Sequence, residues 1–249
     1  MPTTWVLLRG LTREARHWGA FPSTLADTLD NARVITLDLP GNGALHGARS
    51  PTSVEAMAAH CRVELQRQHV ATPVNVLAMS LGAMVASAWA AAAPQEIAAA
   101  VLINTSMRPF NPWWQRLRPG NYASLLRLAL TQPDALAWER AVLRLTSQAH
   151  GRDDTALLRD WAAFRMSAPV SAANTLRQLC AAARFRAPPN NPFRRLLLLG
   201  SAADTLVDPR CTTRIAQRWS CDAVMHAWAG HDLPLDDPAW VAQQVREHV

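Results

Sequence analysis

The sequence contains no lysine: all 25 cations are arginine, set against 19 acidic residues for a formal net charge of +6. Because alanine is also abundant, this reads as a coding bias as much as a selected basic surface. No basic run with interleaved aromatics and no helix of clustered cations accompanies it, so nucleic-acid binding is not expected. There is no C-x-x-C. Cys61, Cys180, Cys211 and Cys221 are scattered, with no histidine pair at ligand spacing, which predicts reduced, mostly buried thiols and neither metal nor cofactor. Apolar runs are short; the longest, around Ala83 to Ala93, is too short to span a bilayer and reads as a buried helix. Met1-Pro2-Thr3-Thr4 passes straight into Trp5-Val6-Leu7-Leu8 without a basic leader or cleavage site, so the expectation is a soluble, cytoplasmic protein without a membrane partner. Internal repeats and low-complexity tails are lacking as well.

What is present is alternation. At 249 residues the chain suits one α/β domain with an insertion, and it can bury a large core. Apolar strands are expected at Trp5–Leu8, Arg33–Leu37, Val74–Met79, Ala99–Asn104, Arg195–Gly200 and Ala223–Trp228. Between them lie helical stretches near His17–Leu29, from a Pro51-Thr52-Ser53 cap to about His69, after Ser80, over Pro209–Trp219 and from Asp237. Asp38-Leu39-Pro40-Gly41-Asn42-Gly43 is an obligatory turn. Strands that are apolar throughout imply a mostly parallel sheet with helices on both faces.

The pattern changes at Met107. From there to Asn190 the spacing is helical, punctuated by Pro119-Gly120, Pro133 and Gly151, and Pro188-Pro189-Asn190-Asn191-Pro192 is the return linker. Residues 1–106 and 191–249 are therefore assigned to the core and residues 107–190 to a helical cap. The cap carries twelve arginines against five acids while the core is nearly balanced, so the basic surplus lies in the insertion.

Ala78-Met79-Ser80-Leu81-Gly82 joins an apolar strand to a helix with a hydroxyl at the apex, flanked by small residues where strand and helix crowd together. A serine hydroxyl attacks only when a base takes its proton, and that base needs an acid to fix its tautomer. In a parallel sheet such groups come from loops at the carboxyl ends of strands. Asp204 and His231 each follow a later strand. Asp208 follows the same strand as Asp204, but it precedes Pro209 and reads as a helix-start residue.

The order serine, acid, histidine, together with Leu7-Leu8-Arg9-Gly10, Asp38 to Gly43, the Ser80 turn, Gly200 to Pro209 and Gly230-His231, resembles the α/β-hydrolase superfamily over nearly the whole chain. Within it the sequence looks most like small carboxylesterases with a helical cap, such as the pimeloyl-carrier-protein methyl esterase group. The resemblance implies an α/β-hydrolase fold in which Ser80 attacks a carboxylic ester, His231 is base and then acid, and Asp204 orients His231. It also implies an oxyanion hole formed by the backbone N–H groups of Leu11 and Leu81. Independently of the resemblance, an N–H at a helix start is unpaired and lies at the positive end of the dipole, which supports Leu81.

Two departures stand out. Alanine replaces the usual first glycine at position 78, and arginine replaces the usual histidine before Gly10. Arg9 could bind a substrate carboxylate or phosphate; a structural ion pair, with Asp38 or another loop acid, is the preferred reading. Asn104 stands where some relatives carry the acid. His17, His46, His60, His69, His150, His226 and His248 are read as surface or packing residues, with only His17 near the expected pocket. For substrate contact the candidates are Met79, Trp113 and Trp114; Phe110, Trp138, Trp161, Phe164 and Met166 are expected mainly to pack the cap. The expected partner is a small-molecule ester, with an acidic acyl-carrier protein as a variant suited to the basic cap. Carbon–carbon bond hydrolysis on the same three residues and a non-catalytic binding role stay open as alternatives.

Overall fold

A computed structural model describes residues 3–131, 133–149 and 154–249. Met1, Pro2, His150 and Gly151, which entered the sequence reading, lie outside the described residues. Six parallel strands, β1 (Thr4–Leu8), β2 (Arg33–Leu37), β3 (Val74–Met79), β4 (Ile97–Ile103), β5 (Leu196–Ser201) and β6 (Asp222–His226), form one sheet in the order β2-β1-β3-β4-β5-β6. The register places Leu8 beside both Leu37 and Ala78, and Ala78 beside Leu102.

Why the strands are apolar throughout follows from what covers them. Side chains alternate across a strand. Val6, Leu8, Val76, Ala78, Ala100 and Leu102 face one core, shared with Met57 and Cys61 of α2 (Val54–Arg67), Met84 and Val85 of α3 (Leu81–Ala92) and Ile215 of α9 (Arg210–Trp219). Leu7, Leu77, Met79, Val101, Ile103 and Leu199 face the opposite core, shared with Phe21 and Leu25 of α1 (Phe21–Thr28), Leu233 of α10 (Leu233–Asp236) and Val241 and Val245 of α11 (Pro238–His248). Each leucine or valine so buried contributes about 1.5–3 kcal/mol. The predicted cap of α2 is present, Ser53 Oγ accepting from Ala56 N at 3.1 Å.

Two of the expected elements are cut short for local reasons. The helix expected over His17–Leu29 splits into a 3₁₀ turn, Ala15–Trp18, and α1, because Gly19 adopts a φ of 54° that a helix cannot contain and Pro22 begins the next helix. β6 stops at His226 rather than Trp228, since His226 Nδ1 accepts from the backbone N–H of Ala229 at 3.0 Å and turns the chain.

Between β4 and β5 the chain forms α4 (Trp113–Arg116), α5 (Tyr122–Thr131), α6 (Ala135–Thr146), α7 (Thr155–Ser167) and α8 (Ala172–Arg184). An isolated parallel bridge between Arg108 and Arg186 ties the start of this segment to its end. Polar contacts fasten it to the loops beyond β1 and β2. Gln178 accepts from Thr12 N at 2.9 Å and donates to Asn42 Oδ1 at 2.7 Å, and Arg13 pairs with buried Glu139 at 2.6 Å while lying over Trp161. Among the described residues no helix is long and apolar enough to cross a membrane. All four cysteines are free; Cys61 and Cys211 are buried, and burial pushes each thiol up to about 12.

Candidate active site

The sheet order turns back beside β1: the chain leaves β1 toward β2 on one side, and β3 continues on the other. The carboxyl ends of β1 and β3 therefore border a crevice, the usual place for a site in an open parallel sheet. The loop after β1 supplies Gly10 and Leu11, and the turn after β3 supplies Ser80. A Cβ on Gly82 would come within 2.5 Å of Leu8 O, so strand and helix meet too closely there for a side chain, and one on Gly10 would lie a tight 3.2 Å from Ser80 Cβ. Ala78 is fully buried, its methyl taken up in the core shared with α2 and α3.

Ser80 has φ 53° and ψ −114°, a backbone region that residues other than glycine seldom enter and that costs of order 1–3 kcal/mol. Its neighbours over-determine that conformation. Ser80 N donates to Ile103 O at 3.0 Å, and its carbonyl accepts from Ala83 N at 3.1 Å and from the Thr105 hydroxyl at 3.0 Å. The consequence is a half-buried hydroxyl facing a cavity of about 690 Å³, which Leu11 and Leu81 also border. Among the described residues neither the Leu11 nor the Leu81 N–H has an acceptor.

His231 and Asp204 come together as expected. His231 Nδ1 lies 2.8 Å from Asp204 Oδ2 with both side chains buried. The other oxygen, Asp204 Oδ1, accepts from the backbone N–H groups of Leu206 at 2.8 Å and Val207 at 2.9 Å, which fixes the carboxylate plane. Nδ1 thus donates to the carboxylate, and Nε2 is left without a proton. No hydrogen bond joins Ser80 Oγ to Nε2 among the described residues; such links commonly tighten only when substrate binds. Asp208 is turned away and pairs with Arg210 at 2.6 Å, its Oδ1 accepting from Arg210 N, as a helix-start residue does.

Burial opposes the imidazolium of His231, but the charge and hydrogen bond of Asp204, with the charge of Asp232, outweigh it and hold the pKa above that of an ordinary histidine. The neutral ring is the form that can take a proton. For ester hydrolysis through this residue, kcat/KM is therefore expected to fall as pH drops through that raised value, with its acid limb above the ~6.5 of an unperturbed histidine. A pH–rate profile with its limb at or below that value would contradict the assignment.

Asn104 is a residue whose contribution the sequence did not convey. Its Oδ1 accepts from Ser201 N at 2.9 Å, and its Nδ2 donates to His231 O at 2.8 Å and to Gly230 O at 3.2 Å. An amide at this strand end clamps the histidine loop to β5, a task for which a carboxylate lacks the donor. The neighbouring Gly230 is held from the other side by its own N–H, which donates to Asp236 Oδ2 at 2.7 Å.

Several expected substrate contacts lie elsewhere. Arg9 is buried and forms a two-pronged ion pair with Asp232, at 2.5 and 2.9 Å, so it cannot reach substrate. The structural reading of Arg9 is the one the geometry supports, with Asp232 rather than Asp38 as its partner; Asp38 instead accepts from Ala15 N and Ala44 N. Met79 is also buried. Strand alternation turns it into the core of α1 and α11, away from the cavity, and Met84, one turn into α3, borders the cavity instead. Trp113 does border it, while Trp114 is half exposed and stands edge-on to Trp113 outside the lining. Phe110, Trp161 and Phe164 pack as expected, against Trp219, Arg13 and His17. His17 lies outside this cavity, wedged between Trp161 and Phe164; burial, then the charges of Arg13 and Arg9, push its pKa well below the usual value. Among the described residues no group of three or more His, Cys, Asp or Glu could hold a metal ion.

Comparison with known proteins agrees with this geometry at the level of fold. A structure described as a putative non-heme bromoperoxidase from Mycobacterium tuberculosis superposes with a TM-score of 0.78 at 22% identity, covering 100% of this chain and 92% of that one. A hydrolase from Pseudomonas aeruginosa gives 0.76 at 19% identity, over 99% and 89% of the two chains. A 2-hydroxy-6-oxo-6-phenylhexa-2,4-dienoate hydrolase from a Rhodococcus strain gives 0.76 at 16%, over 99% and 90%. A search of curated proteins finds no match. The profile of the alpha/beta hydrolase family, in contrast, matches residues 5–244, which takes in every strand but the first residue of β1 as well as Ser80, Asp204 and His231, and the chain belongs to that family.

Proposed function

We propose that the protein is a serine hydrolase that cleaves a carboxylic ester through an acyl-enzyme, with residues 107–190 acting as the cap. The observation that carries this reading is the buried 2.8 Å contact of His231 Nδ1 with Asp204, at the same carboxyl edge of the sheet as a serine held at positive φ. A serine that serves only packing gains nothing from that strain, whereas a nucleophile gains an exposed hydroxyl at a helix start.

In the proposed sequence, His231 Nε2 takes the Ser80 proton as Oγ bonds to the ester carbonyl carbon. The resulting oxyanion rests on the N–H groups of Leu11 and Leu81, each worth about 3 kcal/mol in such holes. His231 returns the proton to the departing alcohol, and water attacks the acyl-enzyme by the same route reversed. An acid bearing the former acyl group leaves, and Ser80 is regenerated. The likeness to small capped carboxylesterases supports an ester over other acyl substrates. The arginine surplus of the insertion supports an acidic carrier protein as the body bearing that ester.

A fluorophosphonate probe tests the chemistry directly. Wild-type protein is expected to gain the mass of one adduct and Ser80→Ala none. A wild type that stays unlabelled under conditions where a known serine esterase reacts would favour the non-catalytic binding reading.

A further inference from the structure

The cavity that reaches Ser80 has a split chemistry. Its lining includes apolar Leu81, Met84 and Val207, and none of the described residues that line it is acidic. Among the described residues, the charged groups that line it are three guanidiniums: Arg108, Arg116 and Arg186. Arg108 and Arg186 are exposed and face each other across the bridge that closes the insertion, while Arg116 is half-buried in α4.

Three cations share this space, and none of the described residues gives them a counterion. Among the described residues no carboxylate pairs with any of them; Arg116 donates only to the carbonyls of Ala182, at 2.5 Å, and Ala183, at 3.4 Å, and Arg108 only to that of Ala183. Arg116 Nε is buried without a partner. Desolvation, then the nearby Arg108 charge, lower the pKa of Arg116, the electrostatic sign of a site short of negative charge. Elsewhere, buried Arg9 faces Asp232 and half-buried Arg13 and Arg62 face Glu139 and Glu96, while half-buried Arg214 donates to the Gln115 amide. Like charges held together beside an apolar wall complement a ligand that brings an anion to one end of an apolar chain, and a guanidinium fork fits a carboxylate or phosphate.

We propose that Arg108, Arg116 and Arg186 form an anion subsite, so that the ester placed at Ser80 carries a carboxylate or phosphate besides its scissile bond. This rests on the serine hydrolase reading for its biological meaning, but binding tests it separately. In the Ser80→Ala protein, calorimetry with monoethyl glutarate against the neutral diethyl ester, and with 2-acetoxyethyl phosphate against 2-acetoxyethyl methyl ether, is expected to show about tenfold tighter binding of at least one anionic probe, the sum of two or three partly exposed charge pairs. The pair that shows the preference identifies the anion. The double variant Arg108→Gln/Arg186→Gln, at exposed positions that leave the core untouched, is expected to abolish most of that preference. Equal binding within both pairs, or a preference that survives the double variant, would overturn the subsite. An anionic preference in a protein that no fluorophosphonate labels would leave the subsite standing and remove the hydrolase reading; a labelled Ser80 without preference would do the reverse.

Discussion

Asp204→Asn is expected to lower kcat by about 10⁴-fold, through the tautomer of His231 rather than through loss of structure. In the native site one carboxylate oxygen accepts two backbone N–H groups and the other accepts from His231 Nδ1. An asparagine can satisfy the first set with its Oδ1, so the loop Asp204–Val207 keeps its shape. Its Nδ2 then faces the imidazole and donates, which obliges Nδ1 to accept and moves the ring proton to Nε2. A protonated Nε2 points a hydrogen at Ser80 and cannot remove one. Steady-state kcat on a fast ester, with thermal melting beside it, checks the result: a large rate loss with a melting temperature near wild type is expected. Asp208→Asn serves as the internal comparison, because Asp208 pairs with Arg210 and is expected to leave kcat close to wild type. Equal losses in the two variants would mean that the acid has been misassigned.

The sheet and the positions of Ser80, Asp204 and His231 were legible because they depend on local signals: apolar runs, the small residues around the turn, and strand ends that share one edge. What was not legible depended on which way a side chain turns or on which distant group it meets. Met79 is adjacent to Ser80 in sequence, yet strand alternation sends it to the opposite core, and nothing short of the sheet's placement reveals that Met84 takes its place. Trp113 and Trp114 are indistinguishable by composition, but a helix separates neighbours by about 100°, so only one can border the cavity. The basic surplus of the insertion was readable as a sum; that Arg108 and Arg186 meet is a property of a bridge 78 residues apart in number, which no short pattern encodes. In sequence Asn104 stands out for the acid it lacks, whereas its function as a clamp depends on Gly230 and His231 arriving opposite its amide.

Arg9→Ala is expected to be the most destabilising single change near the site, by about 3–5 kcal/mol, because it strands Asp232 as an unpaired charge in the core. Arg9 sits over the Trp18 ring at 4.7 Å and lies within 3.6 Å of the Met79 sulfur, so the side chain has packing to lose as well. Although burial alone would raise the Asp232 pKa, the charge and hydrogen bonds of Arg9 hold it below the usual carboxylate range. That depressed pKa means the pair stabilises the fold above the unfolded carboxylate value near 3.9, and the contribution is lost as pH falls through the lower folded value. Replacing both partners with apolar residues, as in Arg9→Met/Asp232→Leu, removes the stranded charge and is expected to recover much of the loss. Urea unfolding at neutral pH for the single and double variants provides the measurement. A single variant within about 1 kcal/mol of wild type would contradict the burial argument. The pair also borders His231, which Asp232 pushes up and Arg9 pushes down. In any Arg9→Ala protein that still folds, the Asp232 charge is no longer offset, so the acid limb of kcat/KM should move to higher pH, and by the same amount for anionic and neutral esters. That equality separates a buried arginine, which acts on the histidine, from Arg108 and Arg186, whose removal should discriminate between the two esters.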